Sequence, residues 1–512
     1  MRDQRHPLDL QEMFKLKPAF DVLPYGDAVL RQCIALRDEN GRLLLVCERA
    51  AAATLLPWAD AYLLTPFVLC FADGQDIAAV LAHYGENMLA MDNLPTAGPV
   101  APVSDEGIES LRLDTIQSSA SPIVRLTNST IYDAYKAGAS DIHLESSGEG
   151  LRVKYRLDGV LSLIAEPAGI QTAEQVISRI KVMAELDISE RRVPQDGRFK
   201  VLINEREVDF RVSVMPSIHG EDAVLRILDK SALTDQMTSL SLDSLGFEPD
   251  MMRQVRRLVR EPYGMFLVTG PTGSGKTTTL YAVLSEVNTG EDKIITIEDP
   301  VEYQLPDVLQ IPVNEKKGLT FALGLRSILR HDPDKIMVGE IRDAETAQIA
   351  IQSALTGHLV FSTVHANNAF DVISRFRHMG VVPQSFVSAI NGIMAQRLVR
   401  LNCPQCTVDY QPEAALIADS AIAAGDLPGF RFRHGLGCAH CRETGYKGRK
   451  SVVELLQLTD ELRELIVAEA PPRQLREAAA RGGMRQIREA ALDLVRRGES
   501  TLEEVNRVTF VA

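Results

Sequence analysis

The stretch Gly270-Pro271-Thr272-Gly273-Ser274-Gly275-Lys276-Thr277 decides the fold, because it fits the G-x-x-x-x-G-K-[ST] pattern of a phosphate-binding loop at every fixed position. An apolar run predicted as a strand, Met265 to Thr269, precedes it, and a predicted helix, Thr277 to Val287, follows it. In that context backbone NH groups turn inward around phosphate, and the helix N-terminus adds positive potential. We therefore predict a nucleotide site over Gly270 to Thr278, in which Lys276 binds the β- and γ-phosphates of ATP and Thr277 binds Mg²⁺.

The composition predicts a globular protein with several domains. A chain of 512 residues is too long for one core, and a hydrophobic content of 45% is enough to build about two to four. A net charge of −14 argues against binding of nucleic acid over the whole surface and leaves only a local basic patch open. The start of the chain lacks the apolar core of a secretory signal, and the most apolar segment, Ala61 to Ala72, is too short for a membrane helix of about 20 residues. We expect no membrane span.

Changes in composition and periodicity predict six segments. Strand-like runs at Leu43–Cys47 and Phe67–Phe71 and a helix over Asp76–Tyr84 indicate a small α/β module, and a stretch rich in Pro, Gly and Ala then indicates a flexible linker. The segments are an N-terminal module over 1–97, the linker over 98–118, a middle domain over 119–235, a parallel α/β core over 236–398, a cysteine module over 399–448 and a C-terminal helical region over 449–512. The predicted fold class is α/β and multidomain.

The middle domain is predicted as a helix followed by a sheet. The helix runs from Ser121-Pro122 to Lys136, and Asp158-Gly159 forms a hairpin turn between two strands. A second helix over Val176–Leu186 precedes strands over Phe199–Ile203, Glu207–Val214 and Asp222–Leu228. In the C-terminal region, helices are predicted to start at Thr459 and Thr501.

Two predicted strands downstream of the phosphate loop end in acidic residues. Glu298-Asp299 follows the first strand, and Glu340 follows the second. Acids at strand ends are usually solvated or cap helices, but beside Lys276 these are the places where an ATPase keeps its metal-binding and water-orienting carboxylates. Many phosphate-loop enzymes have Asp where this chain has Gly339, so the acidic partner of the metal stays open between Glu340 and the Glu298-Asp299 pair.

Histidines and arginines supply further candidates. His358 and His365 flank a predicted strand, which is typical of packed core residues, whereas beside a nucleotide His365 would sense the γ-phosphate. A motor ATPase also needs a cation to stabilise the transferring phosphate, and each candidate alone is typical of a surface salt bridge. The candidate arginines are Arg211, Arg226, Arg326 and Arg330.

Two C-x-x-C pairs, Cys403/Cys406 and Cys438/Cys441, predict a metal site. Four thiolates in a tetrahedral array suit a structural Zn²⁺, with His440 as an alternative ligand. The interval of 31 residues between the pairs requires a loop excursion. The other three cysteines are scattered through the N-terminal module, as in proteins of a reducing cytoplasm.

With these motifs in order, the chain resembles the type II secretion and type IV pilus assembly ATPases. The resemblance covers roughly residues 119 to 455 and rests on the phosphate loop, the cysteine pairs and the ranges Ser140–Glu145, Arg191–Arg198, Ile297–Glu302, Val338–Asp343, Thr356–Asn367 and Thr444–Arg449. It implies a homo-hexameric motor on the cytoplasmic face of the inner membrane. It also implies a PAS-like middle domain that closes over a RecA-like P-loop core.

The resemblance assigns roles residue by residue. It makes Glu340 the catalytic glutamate, Glu298 a member of an acidic box and His358 and His365 a histidine box, and it places Arg211 and Arg226 near the phosphates. The zinc module is a feature of the secretion and pilus-extension members, and the N-terminal module is implied to dock on an inner-membrane platform protein. One departure is Leu323, where similar secretion members often carry arginine.

The sequence therefore favours a motor that hydrolyses Mg-ATP to drive pseudopilus assembly and protein export by type II secretion. Pilus extension is the alternative within the same family. Two hypotheses from other classes are a nucleic-acid translocase, which the acidic composition disfavours, and a nucleotide-gated scaffold without hydrolysis, which Glu340 disfavours.

Overall fold

The computed structural model describes residues 7–38, 41–63, 65–87, 109–112, 116, 121–229, 240–423 and 425–511. Packing divides the chain into two units, Met1–Ser231 and Ala232–Ala512. Most of the predicted linker 98–118 and the predicted boundary at 235/236 lie outside the described residues. The two units are presented one after the other.

The N-terminal module of the first unit has a four-stranded sheet with helices, and thus the α/β class that the sequence predicts for it. The sheet has the order β1-β2-β3-β4, with β3 and β4 parallel and the other pairs antiparallel. The predicted strands at Leu43–Cys47 and Phe67–Phe71 are confirmed, and the predicted helix extends at both ends to Gly74–Asn87. The elements are α1 (Leu10–Lys15), β1 (Lys17–Pro18), α2 (Tyr25–Leu30), β2 (Cys33–Arg37), β3 (Leu43–Cys47), α3 (Ala52–Tyr62), β4 (Phe67–Phe71) and α4 (Gly74–Asn87).

A second sheet in the first unit has seven strands in the order β5-β9-β10-β11-β6-β7-β8. Asp158 and Gly159 both have positive φ, 47° and 83°, so the predicted hairpin turn is confirmed. The helix predicted over Val176–Leu186 begins earlier, after Gly169 with its φ of 102°, and ends at Met183. The elements are β5 (Glu109–Leu111), α5 (Pro122–Ala137), β6 (Asp141–Ser146), β7 (Leu151–Leu157), β8 (Val160–Ala165), α6 (Ile170–Met183), β9 (Gln195–Ile203), β10 (Arg206–Ser217) and β11 (Gly220–Leu228).

The second unit is built on a seven-stranded sheet in the order β14-β13-β15-β16-β12-β17-β20. Every pairing is parallel except β17 with β20, so the predicted parallel α/β core is confirmed. Strand β12, which leads into the phosphate loop, lies between β16 and β17, and all six of its residues are buried. The strands are β12 (Gly264–Thr269), β13 (Ile294–Glu298), β14 (Leu309–Pro312), β15 (Lys335–Val338), β16 (Leu359–Val364), β17 (Ile390–Asn402) and β20 (Tyr446–Gln457).

Helices cover this sheet and extend from its end. Thr459 and Thr501 cap the helices that the sequence predicts after them, each by accepting a backbone N–H three residues on. The helices are α7 (Pro249–Leu258), α8 (Lys276–Val287), α9 (Phe321–Ile328), α10 (Ala344–Leu355), α11 (Ala369–His378), α12 (Pro383–Ala389), α13 (Ala414–Asp419), α14 (Asp460–Val467), α15 (Pro472–Arg481), α16 (Ile487–Arg496) and α17 (Leu502–Val508).

The cysteine loop connects the last two strands of the core sheet. Strands β17 and β20 are 13 and 12 residues long, so the predicted segment boundaries at 398 and 448 fall inside them. Between them lies a small antiparallel pair, β18 (Thr407–Asp409) with β19 (Arg433–Gly435). Among the described helices of both units, none is long and apolar enough to cross a membrane.

Candidate active site

The phosphate loop turns through three glycines with positive φ. Gly270, Gly273 and Gly275 have φ values of 149°, 78° and 86°, which residues with a side chain rarely adopt. A Cβ on Gly270 would lie 2.5 Å from the Gln396 carbonyl oxygen, and one on Gly275 would lie 2.9 Å from Gln396 Nε2. Both positions therefore have a backbone conformation that favours glycine. At Gly270 a Cβ would also collide with the backbone of β17, whereas at Gly275 it would meet the side-chain amide of Gln396.

Lys276 is the first residue of α8 and is almost fully buried. Its Nζ donates to the carbonyl oxygens of Gly270 and Pro271, both at 3.0 Å. Burial lowers the pKa of Lys276, and the charge of Glu340 opposes that shift. The fold thus brings the lysine and the predicted catalytic glutamate into electrostatic contact at one edge of the sheet.

The rest of the predicted nucleotide loop divides into exposed and buried positions. Pro271 and Thr272 are exposed, and Thr277 and Thr278 are half-buried on the first turn of α8. Ser274 is buried, and its Oγ has no hydrogen-bond partner within the described part of the chain. The half-buried Thr277 and Thr278 thus lie on the helix turn where phosphate-loop proteins bind phosphate and its metal.

Glu298 ends β13 and is buried, with both carboxylate oxygens in hydrogen bonds. Tyr281 on α8 donates to one oxygen, and Thr296 and Gln310 donate to the other. Burial, together with the neighbouring Glu298 charge, raises the pKa of Tyr281. In this arrangement Glu298 joins β13 to the helix that follows the phosphate loop.

Glu340 lies two residues beyond the end of β15, where its carboxylate contacts two basic side chains. Arg342 donates to Oε1, and His365 Nε2 lies 3.2 Å from Oε2, an atom with no other partner among the described residues. The backbone around Glu340 is fixed on both sides, because Gly339 N donates to Ile297 O and Ile341 N donates to Thr363 O. The carboxylate is therefore held at a defined position beside the phosphate loop.

A side chain at Gly339 would crowd the neighbouring strand, which disfavours the aspartate that many phosphate-loop enzymes have at this point. A Cβ at position 339 would lie 3.3 Å from both Glu298 Cα and Ile297 O of the neighbouring strand. This is tighter than ordinary van der Waals contact, so a larger side chain would press on β13. Glu340 is consequently the acid that this strand end presents towards Lys276.

The structure separates the two histidines of the predicted histidine box. His365 follows β16 at the phosphate-loop edge, where burial and the charge of Lys276 lower its pKa and Glu340 opposes the shift. His358 precedes β16 and places Nδ1 3.0 Å from Ser353 O. Because β16 has six residues, the two positions are about 20 Å apart along the strand. Only His365 reaches the candidate site.

The predicted phosphate-binding arginines of the first unit lie side by side. Arg211 on β10 pairs in register with Arg226 on β11 and with Arg198 on β9. Arg226 Nε lies 2.9 Å from Asp141 Oδ1, and Arg156 Nε lies 3.5 Å from Asp141 Oδ2. Arg198, Arg211, Arg226 and Asp141 line a depression of about 540 Å³. Like charges in directly opposed positions destabilise a sheet, so this row is suited to an anionic ligand.

The other two candidate arginines, Arg326 and Arg330, make contacts typical of a surface. Arg326 forms an exposed ion pair with Glu345, and Arg330 Nη1 donates to the Arg326 carbonyl oxygen at 2.9 Å. Leu323, the departure from the family pattern, is 49% exposed on the same helix, α9.

Two neighbouring residues of β17 belong to the site although the sequence patterns did not single them out. Gln396 accepts from Thr279 Oγ1 at 2.8 Å and donates to Ser451 Oγ at 3.1 Å, so it joins α8 to β17 and β20. Arg397 is buried beside it, and its guanidinium donates to the Gln396 and Asn367 carbonyl oxygens. The available signal was a polar pair between two apolar pairs, Met394-Ala395 and Leu398-Val399, in a strand that also carries Asn391, Arg400 and Asn402.

The four cysteines form one cluster. Their sulfur atoms all lie within 4.8 Å of one another, with separations of 3.8 Å for Cys403–Cys438 and 3.7 Å for Cys406–Cys441 and Cys438–Cys441. A tetrahedral Zn²⁺ with Zn–S bonds of about 2.3 Å requires sulfur separations of about 3.8 Å. The donor set therefore fits zinc, and the exposed His440 is not part of the cluster.

Comparisons with known proteins agree with this geometry. A model of the family described as Type II/IV secretion system protein matches residues 116–507. The chain is 48% identical over 390 residues to the Type II secretion system ATPase E of Vibrio cholerae, which covers 76% of this chain and 75% of that protein. It is 40% identical over 500 residues to the Type II secretion system protein HxcR of Pseudomonas aeruginosa, covering 95% of this chain and 99% of that protein.

A pilus protein and a solved structure are also similar. The Type IV pilus assembly ATPase PilB of Acinetobacter baylyi is 46% identical over 392 residues, covering 76% of this chain and 66% of that protein. The X-ray structure of the Yersinia pseudotuberculosis ATPase DotB superposes with a TM-score of 0.55 at 20% identity, covering 76% of this chain and 94% of that one, which shows the shared RecA-like P-loop fold. From the family match and the identity to its named members, the chain belongs to the Type II/IV secretion system protein family.

Proposed function

We propose that this chain is a hexameric motor that hydrolyses Mg-ATP to drive pseudopilus assembly and protein export by a type II secretion system. The observation that carries the proposal is the meeting of Lys276 and Glu340 at one edge of the core sheet, with His365 on the free oxygen of the glutamate. A phosphate-binding cation beside an oriented carboxylate is what nucleotide hydrolysis requires.

In this proposal each site residue has a distinct task. The backbone of the loop and Lys276 hold the phosphates, and Glu340 accepts a proton from the attacking water and orients it. His365 stays neutral near pH 7, because its pKa is lowered, and lies where it senses the γ-phosphate. Thr277 is the residue that would hold Mg²⁺, which neutralises developing charge on the phosphates. Glu298 accepts a hydrogen bond from Tyr281 and so helps to hold α8, the helix that follows the phosphate loop, against β13.

The remaining segments receive supporting roles. The middle domain over 119–235 carries Arg211 and Arg226, which we assign as candidate ligands for a phosphate, and the RecA-like core over 236–398 carries the phosphate loop. The cysteine module over 399–448 binds a structural Zn²⁺ through Cys403, Cys406, Cys438 and Cys441, since the sulfur spacing fits that ion. The helical region over 449–512 packs on this module and on the core.

The proposed partner is an inner-membrane platform protein of the secretion machine, bound by the N-terminal module over 1–97. The motor would then work on the cytoplasmic face of the inner membrane as a peripheral protein. This part is supported by the similarity to the secretion protein HxcR, which extends over 95% of this chain and thus into the module.

Type IV pilus assembly is the second candidate, because identity to the pilus ATPase is nearly as high over the shared core. The two can be distinguished by complementation. The gene for this chain is expected to restore export in a secretion-ATPase deletion strain and to leave a pilus-extension deletion strain without pili. Restored piliation without export would assign the chain to pilus assembly.

The hydrolytic role is tested with Glu340→Gln in the full chain. We expect the turnover number to fall about a hundredfold or more while a fluorescent ATP analogue still binds, because the amide cannot accept the water's proton and the phosphate loop is unchanged. The matched control is Glu345→Gln, which removes an exposed glutamate five residues away and is expected to leave turnover within about twofold.

Turnover that survives Glu340→Gln would exclude Glu340 as the catalytic group. Absence of phosphate release by the wild-type hexamer under all conditions would favour the scaffold without hydrolysis. Salt-sensitive stimulation of hydrolysis by DNA would favour the nucleic-acid translocase.

A further inference from the structure

The loop that carries His365 is fastened to the core at both of its ends. Thr269 Oγ1, at the end of the strand that leads into the phosphate loop, accepts from Ala366 N at 3.0 Å and donates to Ala366 O at 3.0 Å. At the far end, Glu454 Oε1 on β20 accepts from Ala369 N at 3.0 Å, where α11 begins. The position of His365 is therefore decided by side chains from two other strands.

Arg397 fastens the middle of the same loop. Its Nη2 donates to Asn367 O at 2.6 Å, and its Nη1 donates to Gln396 O at 3.1 Å. The same Nη1 lies 3.3 Å from the point where a Cβ on Gly270 would be. One guanidinium thus joins the His365 loop to β17 at the place where β17 supports the phosphate loop.

The environment of Arg397 is unusual for a structural cation. The side chain is buried, and among the described residues no carboxylate forms an ion pair with it. The charge of Glu454 acts on it from a distance, and both oxygens of Glu454 already accept from backbone N–H groups, those of Ala369 and Ile487. A buried cation whose hydrogen bonds go to carbonyl oxygens costs stability, and here the guanidinium links the His365 loop to β17.

We propose that Arg397 is a positioning residue for hydrolysis, which keeps His365 against Glu340 by holding the Asn367 carbonyl to the strand beneath the phosphate loop. This inference rests on the proposed ATPase function and extends it to a residue whose guanidinium donates to backbone carbonyl oxygens. It predicts separate effects on binding and on turnover.

The hydrogen bonds of Arg397 explain why its loss should affect turnover more than nucleotide binding. Loss of the guanidinium leaves the Asn367 carbonyl without its donor and allows the His365 loop to shift, and a displacement of about 1 Å is enough to reduce catalysis about a hundredfold. The phosphate loop keeps its own support, because Gln396 remains bonded to Thr279 and Ser451. Nucleotide binding should therefore outlast turnover.

The test uses Arg397→Gln and Arg397→Lys in the zinc-loaded full chain, with turnover, KM and the Kd of a fluorescent ATP analogue as readouts. For Arg397→Gln we expect the turnover number to fall about tenfold or more while the Kd changes less than about threefold. Arg397→Lys is expected to be intermediate, because an ammonium keeps the charge but reaches only one of the two carbonyl oxygens.

The matched control is Arg377→Gln on α11, the helix that follows the loop. Its guanidinium lies 3.1 Å from Glu469 in an exposed ion pair, so turnover should stay within about twofold. Turnover of Arg397→Gln equal to wild type would overturn the proposal, as would loss of turnover in equal proportion to loss of binding.

A variant that fails to fold does not end the test. If Arg397→Gln precipitates, Arg397→Lys decides by the same criteria, since it keeps the buried charge: reduced turnover with unchanged Kd supports positioning, and unchanged turnover refutes it. Wild-type protein without any hydrolysis would instead refute the proposed function, so the two failures are distinguishable.

Discussion

At the scale of single residues, two properties favour glycine in the phosphate loop: a positive φ and the lack of space for a Cβ. Gly275 needs its φ of 86° to start α8, and it also needs to lack a Cβ because Gln396 Nε2 would lie 2.9 Å away. Gly290, after the same helix, has a similar φ of 80° but no neighbouring atom within 4 Å of a Cβ position. Comparing substitutions at Gly275 and Gly290 therefore distinguishes the effect of backbone strain from the effect of packing against β17.

We expect Gly275→Ala and Gly290→Ala each to cost about 1 kcal/mol of stability from the unfavourable φ, with an added steric cost only in Gly275→Ala. Only Gly275→Ala should also weaken binding of a fluorescent ATP analogue, by about tenfold or more, because the methyl group must displace Gln396 or the loop. Thermal unfolding and nucleotide titration measure the two effects. Equal weakening by Gly290→Ala would show that contact with Gln396 is not the cause.

At the scale of elements, β17 and β20 form a ribbon that carries the cysteine cluster away from the core sheet. Asn402, at the end of β17, donates to the carbonyl oxygens of Arg433 and Gly498, and Cys403 N donates to Gly445 O at 2.9 Å. Backbone pairing and the Asn402 amide thus fix the position of the first cysteine. The second cysteine pair, Cys438 and Cys441, comes close to Cys403 because the loop between the two pairs folds back on β17 and β20.

Cys403→Ser should abolish stoichiometric zinc binding and lower the thermal midpoint by about 5 °C or more, because a hydroxyl is a poor zinc ligand and the metal bridges both cysteine pairs. His440→Ala changes the exposed residue beside the cluster and should retain one zinc per chain, with little change in the midpoint. Metal analysis and calorimetry provide the measurements. Normal zinc content in Cys403→Ser would contradict the four-cysteine site.

At the scale of the whole molecule, the candidate phosphate-binding cations belong to two different units. Lys276 belongs to the second unit, whereas the row of Arg198, Arg211 and Arg226 belongs to the first. The single carboxylate of Asp141 cannot neutralise three guanidinium groups. The row therefore keeps a net positive charge that would attract a phosphate. We propose that this row binds a phosphate during hydrolysis.

Arg226→Gln is therefore expected to lower turnover about tenfold to a hundredfold, because it removes a cation that stabilises charge in the transition state. Thermal stability should change little, since Arg226 is exposed and Asp141 keeps Arg156 as a partner. Arg152→Gln, which breaks an exposed pair with Glu166 on the same sheet, is the control. Hydrolysis assays on both hexamers decide, and equal turnover would exclude Arg226 from the reaction.

Local signals in the sequence determined a large part of this protein. The phosphate loop, the hairpin turn at Asp158-Gly159 and the helix starts at Thr459 and Thr501 were all predictable, because each depends on residues within a few positions of one another. The cysteine spacing likewise predicted a metal cluster, since few other arrangements use two such pairs.

Only the tertiary structure determined which residues that are distant in sequence come into contact at the site. It bonded Gln396 to Thr279, 117 residues away in sequence, placed Arg397 under the His365 loop, and set His358 at the wrong end of β16 for the site. The physical reason is that periodicity and turn chemistry are encoded locally, whereas the order of strands in a sheet is fixed by packing across the whole chain. The sequence by itself determined that phosphate is bound, and the order of β15, β16, β12 and β17 determined which side chains surround it.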